Sequence, residues 1–238
     1  MRARRSLWTV VLAAALAGCG GGGSSSGDGG FKPPGDDVDA RAAWENLLTT
    51  TRTWVVSGVA SDGFSYTASI SVAPGSALAF PVTGNTAARS IASIVLTRGA
   101  ATVDSRIAET FFDAATGFVV GLRHSIDGVG TFCSPAASAA VPPDAAANGS
   151  SGALFTIDEL DGCLVSSAKI GSATQTWSVE FESETGITFF CTNATERTLS
   201  GSVIATESDC IEVSADGSLG NKARVTVSSA GFTLVARN

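Results

Sequence analysis

Five cysteines and a single histidine carry most of the reactive chemistry open to this 238-residue chain. Four of the cysteines, Cys133, Cys163, Cys191 and Cys210, lie in its second half. In an exported chain an even set of this kind reads as two disulfides formed in an oxidising compartment. Three pairings are open, and Cys133–Cys163 with Cys191–Cys210 is favoured because sequence-local closures suit a chain of hairpins. Each bond contributes roughly 3 kcal/mol if unstrained. Zinc needs thiolates clustered at short spacing, and these are far apart with only His124 to join them, so no metal site is expected.

Other residue types offer less. His124 is followed by Ser125 and Asp127. A Ser-His-Asp triad of the hydrolase type needs its serine on a strained turn, written GxSxG, and the chain has no such motif. His124 is therefore expected to be a surface or hydrogen-bonded residue near a strand end. Asp158-Glu159-Leu160-Asp161-Gly162 is the densest acidic stretch, but it lacks the alternating ligand spacing of an EF-hand and reads as a solvated turn before Cys163. Glu180 and Glu182 share one face of a strand, and paired carboxylates can hydrolyse glycosides. With Trp177, Val179 and Phe181 on the opposite face, the two glutamates are expected to point to water. No catalytic residue and no cofactor are assigned.

The fifth cysteine has a different setting. Arg2, Arg4 and Arg5 precede residues 7–16, which are apolar apart from Thr9. About ten apolar residues suit a signal core and are too short to span roughly 30 Å of hydrocarbon. Leu16-Ala17-Gly18-Cys19 closes the run and resembles the lipobox of bacterial lipoproteins. The resemblance implies cleavage before Cys19, with diacylglyceryl and a further acyl chain such as palmitate attached there. It thus implies a membrane partner held through lipid on Cys19. Among enteric lipoproteins an Asp after the cysteine keeps the protein in the inner membrane; Gly20 here implies the outer membrane. Residues 1–18 are then a signal peptide and residues 19–37 a lipidated cysteine with a Gly/Ser-rich tether. As a random coil the tether reaches roughly 20–25 Å.

Charge narrows the partners. Twenty-two acidic against 15 basic residues give a net charge of −7, and removing the leader arginines deepens it. Such a surface repels nucleic acid.

The elements that must position any site begin with a short helix from Asp37 to Leu48. Asp37 or Asp39 can cap it, and Ala40, Trp44, Leu47 and Leu48 recur at helical spacing. Alternation of period two follows. Residues 64–72 alternate apolar and polar without a break, and residues 54–59 pair with them across Ser61-Asp62-Gly63. Residues 175–182 alternate likewise and turn at Thr185-Gly186. Residues 110–112, 203–206 and 210–213 read as separate short strands. Residues 134–152, with Pro142-Pro143, read as a long loop: a flap clamped by Cys133 and Cys163, or a subdomain boundary.

Residues 38–238 are thus expected to be all-β, an antiparallel barrel or sandwich of many short hairpin-linked strands with one short N-terminal helix. A membrane-spanning barrel is disfavoured, since paired aromatic girdles are missing and a lipid anchor would be redundant. The expected function is a lipid-anchored envelope protein, a non-catalytic binding module for an apolar small molecule or an envelope protein. The alternative is a structural or adhesive surface sandwich, and a hydrolase with unidentified acids ranks third.

Overall fold

The alternation that starts near Phe64 forms one stave of a closed wall. A computed structural model describes residues 37–238. One helix, α1 (Ala40–Thr49), precedes twelve strands. These are β1 (Arg52–Val59), β2 (Ser65–Ala79), β3 (Thr86–Arg98), β4 (Ala101–Phe112), β5 (Val119–Ile126) and β6 (Gly130–Ala139), followed by β7 (Ser151–Leu160), β8 (Lys169–Glu182), β9 (Ile187–Thr198), β10 (Val203–Val213), β11 (Leu219–Ser229) and β12 (Phe232–Arg237). Each strand pairs antiparallel with the next, and β12 returns to β1, so the sheet closes into a barrel. Of the two all-β architectures expected, the barrel is the one formed.

Side chains alternate across the wall. Along β2, Tyr66, Ala68, Ile70 and Val72 are buried, while Ser65, Thr67, Ser69 and Ser71 face outward. Outward hydroxyls pair between strands, Ser57 with Thr67 at 3.0 Å and Thr53 with Ser71 at 3.1 Å. The inward rows, with Trp44 and Leu48 of α1, form the principal core.

Helix α1 closes one end of the barrel. The side chain of Asp39 caps it, accepting from the Ala42 amide at 2.8 Å. Three connections at that end hold it. Trp44 Nε1 donates to the Gly117 carbonyl at 3.2 Å, Arg41 N to Pro143 O at 3.0 Å, and Asn46 Nδ2 to Gly217 O at 3.0 Å. Gly217 is needed where it stands: its φ is +78°, and a Cβ there would lie 2.6 Å from Ala42 Cβ. No helix among the described residues is long and apolar enough to cross a membrane.

The strands run longer than local patterning suggests. Residues 110–112 end β4, and Glu109 just before them is buried on the outer side of the sheet beneath Arg89 (2.6 Å) and Arg123, with which it ion-pairs. Residues 203–213 form the single strand β10, and residues 134–139 belong to β6. One continuous sheet therefore includes the strands on both sides of residues 140–150.

Both disulfides form with the favoured pairing, Cys133–Cys163 and Cys191–Cys210. The first fastens the β7–β8 loop onto β6 beside a small core of Phe80, Ala87 and Phe111, rather than clamping the ends of a flap. The second joins directly opposed positions of β9 and β10.

Candidate functional site

The inward row of β10 does not stay apolar. Ala205, Glu207, Asp209, Ile211 and Val213 share one parity, so two acids stand among core side chains. Across the ladder Asp209 faces Thr192 and Glu207 faces Ala194 on β9. Gln175 on β8 faces Ala194 in turn, next to Trp177 in the inward row. Glu196 continues the β9 row, and Arg106 with Asp104 lies on β4 in the row of Thr110. These residues meet in the lumen.

Between them and α1 lies a cavity of about 60 Å³. Its upper wall is apolar, with Trp44, Leu48, Trp54, Ile70, Val72 and Ile211. Ser90, Thr110, Gln175, Thr192 and Asp209 border it on the other side, yet the surface they leave open to the space is almost entirely apolar. The space is large enough for several water-sized groups.

Burial controls the charge below the cavity. Asp209 is pushed up to about 8 by desolvation. Glu196 is pushed up to about 9, first by burial and then by Glu159 beside it. Burial also raises Glu159, and Glu207 stands well above the ordinary carboxyl range through burial and the proximity of Asp209. Arg106 is the one cation among the buried described residues, and it already pairs with Asp104. At neutral pH Asp209 and Glu196 therefore favour the protonated state. Gln175, only 1 % exposed, presents a carbonyl oxygen that accepts no hydrogen bond from the protein, and Asp209 Oδ1 and Glu207 Oε2 are likewise unpartnered.

His124 lies elsewhere than expected. It faces Ala108 across β4–β5, is 7 % exposed, and its Nε2 has no partner. Burial, and then Arg106, hold it down to about 3, so it is a neutral imidazole in the wall. Nothing positions a nucleophilic serine against it, since Ser125 takes the opposite face and bonds Thr131 at 3.1 Å.

The acidic stretch divides. Asp158 pairs with Lys169 at 2.5 Å on the outside, Asp161 accepts from the Ala168 amide at 2.9 Å, and Glu159 alone enters the lumen, where the bare Gly171 faces it. Glu159 is thus a half-buried strand residue rather than part of a solvated turn. Glu180 and Glu182 lie outside the barrel but not free in water: Glu180 pairs with Arg224, and Glu182 with Arg224 and Arg237. Among the described residues the grouping of metal-ligating types close enough for an ion is Glu180, Cys191 and Cys210, within 4.8 Å. Its two sulfurs are bonded to each other, which leaves no thiolate to ligate. Cys19 lies outside the described residues.

Comparison with known proteins finds no matching family model, no matching curated protein and no matching solved structure. The chemistry of the site has to be read from its own residues.

Proposed function

We propose that this chain is a lipid-anchored envelope protein whose barrel is a non-catalytic binding module for a small, largely apolar molecule. The observation that carries the reading is the cavity of about 60 Å³ under α1, lined almost entirely by apolar surface. Enclosed apolar space with a few converging polar groups and displaced titrations is the usual form of a small-molecule site. The outward Ser and Thr rows of β2 support a wall facing water rather than hydrocarbon, where an apolar band would be required.

The volume favours a short-chain molecule over a lipid cargo.

Native mass spectrometry of the mature protein, gently extracted from its own membranes, tests this directly. A discrete added mass of a small molecule, lost on mild activation, is the expected result. A spectrum of bare protein, together with no thermal shift across a panel of short-chain compounds, would overturn the reading.

A further inference from the structure

The barrel has two unlike ends. Each strand pairs antiparallel with the next, so alternate connections fall at the same end, and α1 covers the end that holds β4–β5, β6–β7 and β10–β11. Six connections form the opposite rim, and five of them carry an exposed large apolar side chain at or beside the turn. Phe64 stands at β1–β2, Val103 just past β3–β4 and Val129 at β5–β6. Leu164 and Val165 stand at β7–β8, 71 % and 82 % exposed, and Leu199 stands at β9–β10. Among the described residues the connections at the α1 end expose Phe118 alone in this way.

The rim residues are held out, not left loose. Cys163, bonded to Cys133, pins the β7–β8 loop, and Leu164 N donates to Ser167 Oγ at 3.1 Å. Arg98 lies over the Phe64 ring, 4.6 Å from its centre. A cation carried on an aromatic ring suits the boundary between hydrocarbon and phosphate, the ring entering while the guanidinium stays among the headgroups. Directly behind the tips the wall turns to hydroxyls, with Ser65, Thr67, Ser125 and Thr131 outward. Shallow insertion is therefore open and deeper entry is barred.

Two features choose the occupant. A protein–protein interface gathers its apolar residues at the centre, inside a polar margin. Here the order is inverted: the apolar tips form the ring, and the lumen they surround holds Asp104, Arg106, Glu159, Glu196 and Glu207. A headgroup layer accepts separate apolar tips without a continuous patch. Charge agrees. At the rim the turn acids Asp62, Asp127 and Asp161 are balanced by Arg98, Lys169 and Arg197 on adjoining strands. At the α1 end Asp113, Asp144, Glu184 and Asp216 join Asp39 and Glu45, and Arg41, Arg52 and Arg237 do not balance them. An anionic bilayer repels that end and admits the rim.

We propose that the rim opposite α1 docks reversibly on the headgroup layer of a bilayer, with Phe64, Leu164, Val165 and Leu199 inserted. This goes beyond the cavity reading and takes from it only the envelope setting. The proposed tether between Cys19 and Asp37 reaches about 60 Å when extended. The ten residues of β7 cover about 33 Å, so lipid and rim can meet one membrane. Even a whole myristoyl chain binds only marginally, so the tips orient the barrel and do not anchor it.

The test uses full-length Cys19→Ser protein, which carries no lipid, so its outcome does not depend on acylation. Vesicles of phosphatidylethanolamine with phosphatidylglycerol are titrated against it, with flotation and hydrogen exchange as readouts. Weak, lipid-dependent flotation that is lost on dilution is expected, with slowed exchange confined to the rim turns. Leu164→Ser and Val165→Ser together should cut partitioning at least fivefold without changing the melting temperature, and Phe118→Ser at the α1 end should leave partitioning unchanged. No partitioning at any lipid concentration, equal partitioning of the double variant, or an equal loss in Phe118→Ser overturns the proposal. A dimer that forms without lipid, disappears in the double variant and ignores vesicles overturns it in favour of a second copy.

Discussion

Glu196, Glu207 and Asp209 occupy positions where a hydrocarbon side chain would complete the core, and their titration is coupled to folding. In the unfolded chain each ionises near 4. Folded, Asp209 keeps its proton to about 8 and Glu196 to about 9. Between those limits the native state binds more protons than the unfolded one, so stability falls as pH rises and the loss is complete above the folded values. His124 acts in the opposite sense: held down to about 3, it contributes stability above about 6.5 that is lost as pH falls towards 3. The carboxyls outnumber the imidazole, so the melting temperature should be several degrees higher at pH 5 than at pH 9. Glu196→Gln should flatten that slope, and a melting temperature unchanged across the range would contradict the buried acid cluster. These residues were half legible. In β8 parity with Trp177 and Val179 marks Gln175 as inward. In β9 and β10 the outward row holds Phe189, Cys191 and Cys210, so both faces read as apolar and parity alone does not say which way Asp209 points.

Among the elements, the junction of β1 with β12 is the least regular. Ser57 pairs with Arg237, and Ala60 forms an isolated bridge with Leu234. Between them Gly58 lets the backbones approach so closely that a Cβ would sit 1.9 Å from the Val235 carbonyl oxygen. Gly58→Val should destabilise the fold by about 1–3 kcal/mol, since the clash is with main chain that no rotamer change relieves. Chemical denaturation measures this, and an unchanged midpoint would contradict the packing at the junction. Helix α1 was readable from Asp39 and the spacing of Ala40, Trp44 and Leu48, all of which act as expected. Hairpins such as β1–β2 were readable too, because Gly63 turns between two alternating runs. The closure was not, because it pairs residues 57 and 237, and no local pattern encodes contacts at that separation. Nor was the outer core: Phe80 packs where Gly121 has no side chain, a coincidence of two distant residues.

For the whole molecule, the proposed address rests on one thiol ahead of the barrel. Cys19→Ser should move the protein from the membrane pellet to the soluble fraction, as read by detergent partitioning, while leaving its melting temperature unchanged. Retention in the membrane would refute lipidation at Cys19, and it would then call for another mode of attachment. Composition and alternation were enough for an all-β chain with a short leading helix. The choice between barrel and sandwich needed the register of every strand, which depends on how twelve pairings accumulate around a ring.

Six residues, Phe232–Arg237, complete that ring. Every other pairing joins neighbours in sequence, so a growing chain can lay down β1 to β11 as a widening ribbon with raw margins on both sides. Unpaired margins invite other chains to dock and aggregate. The last stave removes both at once, so a frameshift or nick near the carboxyl end would harm solubility far more than the few contacts it deletes.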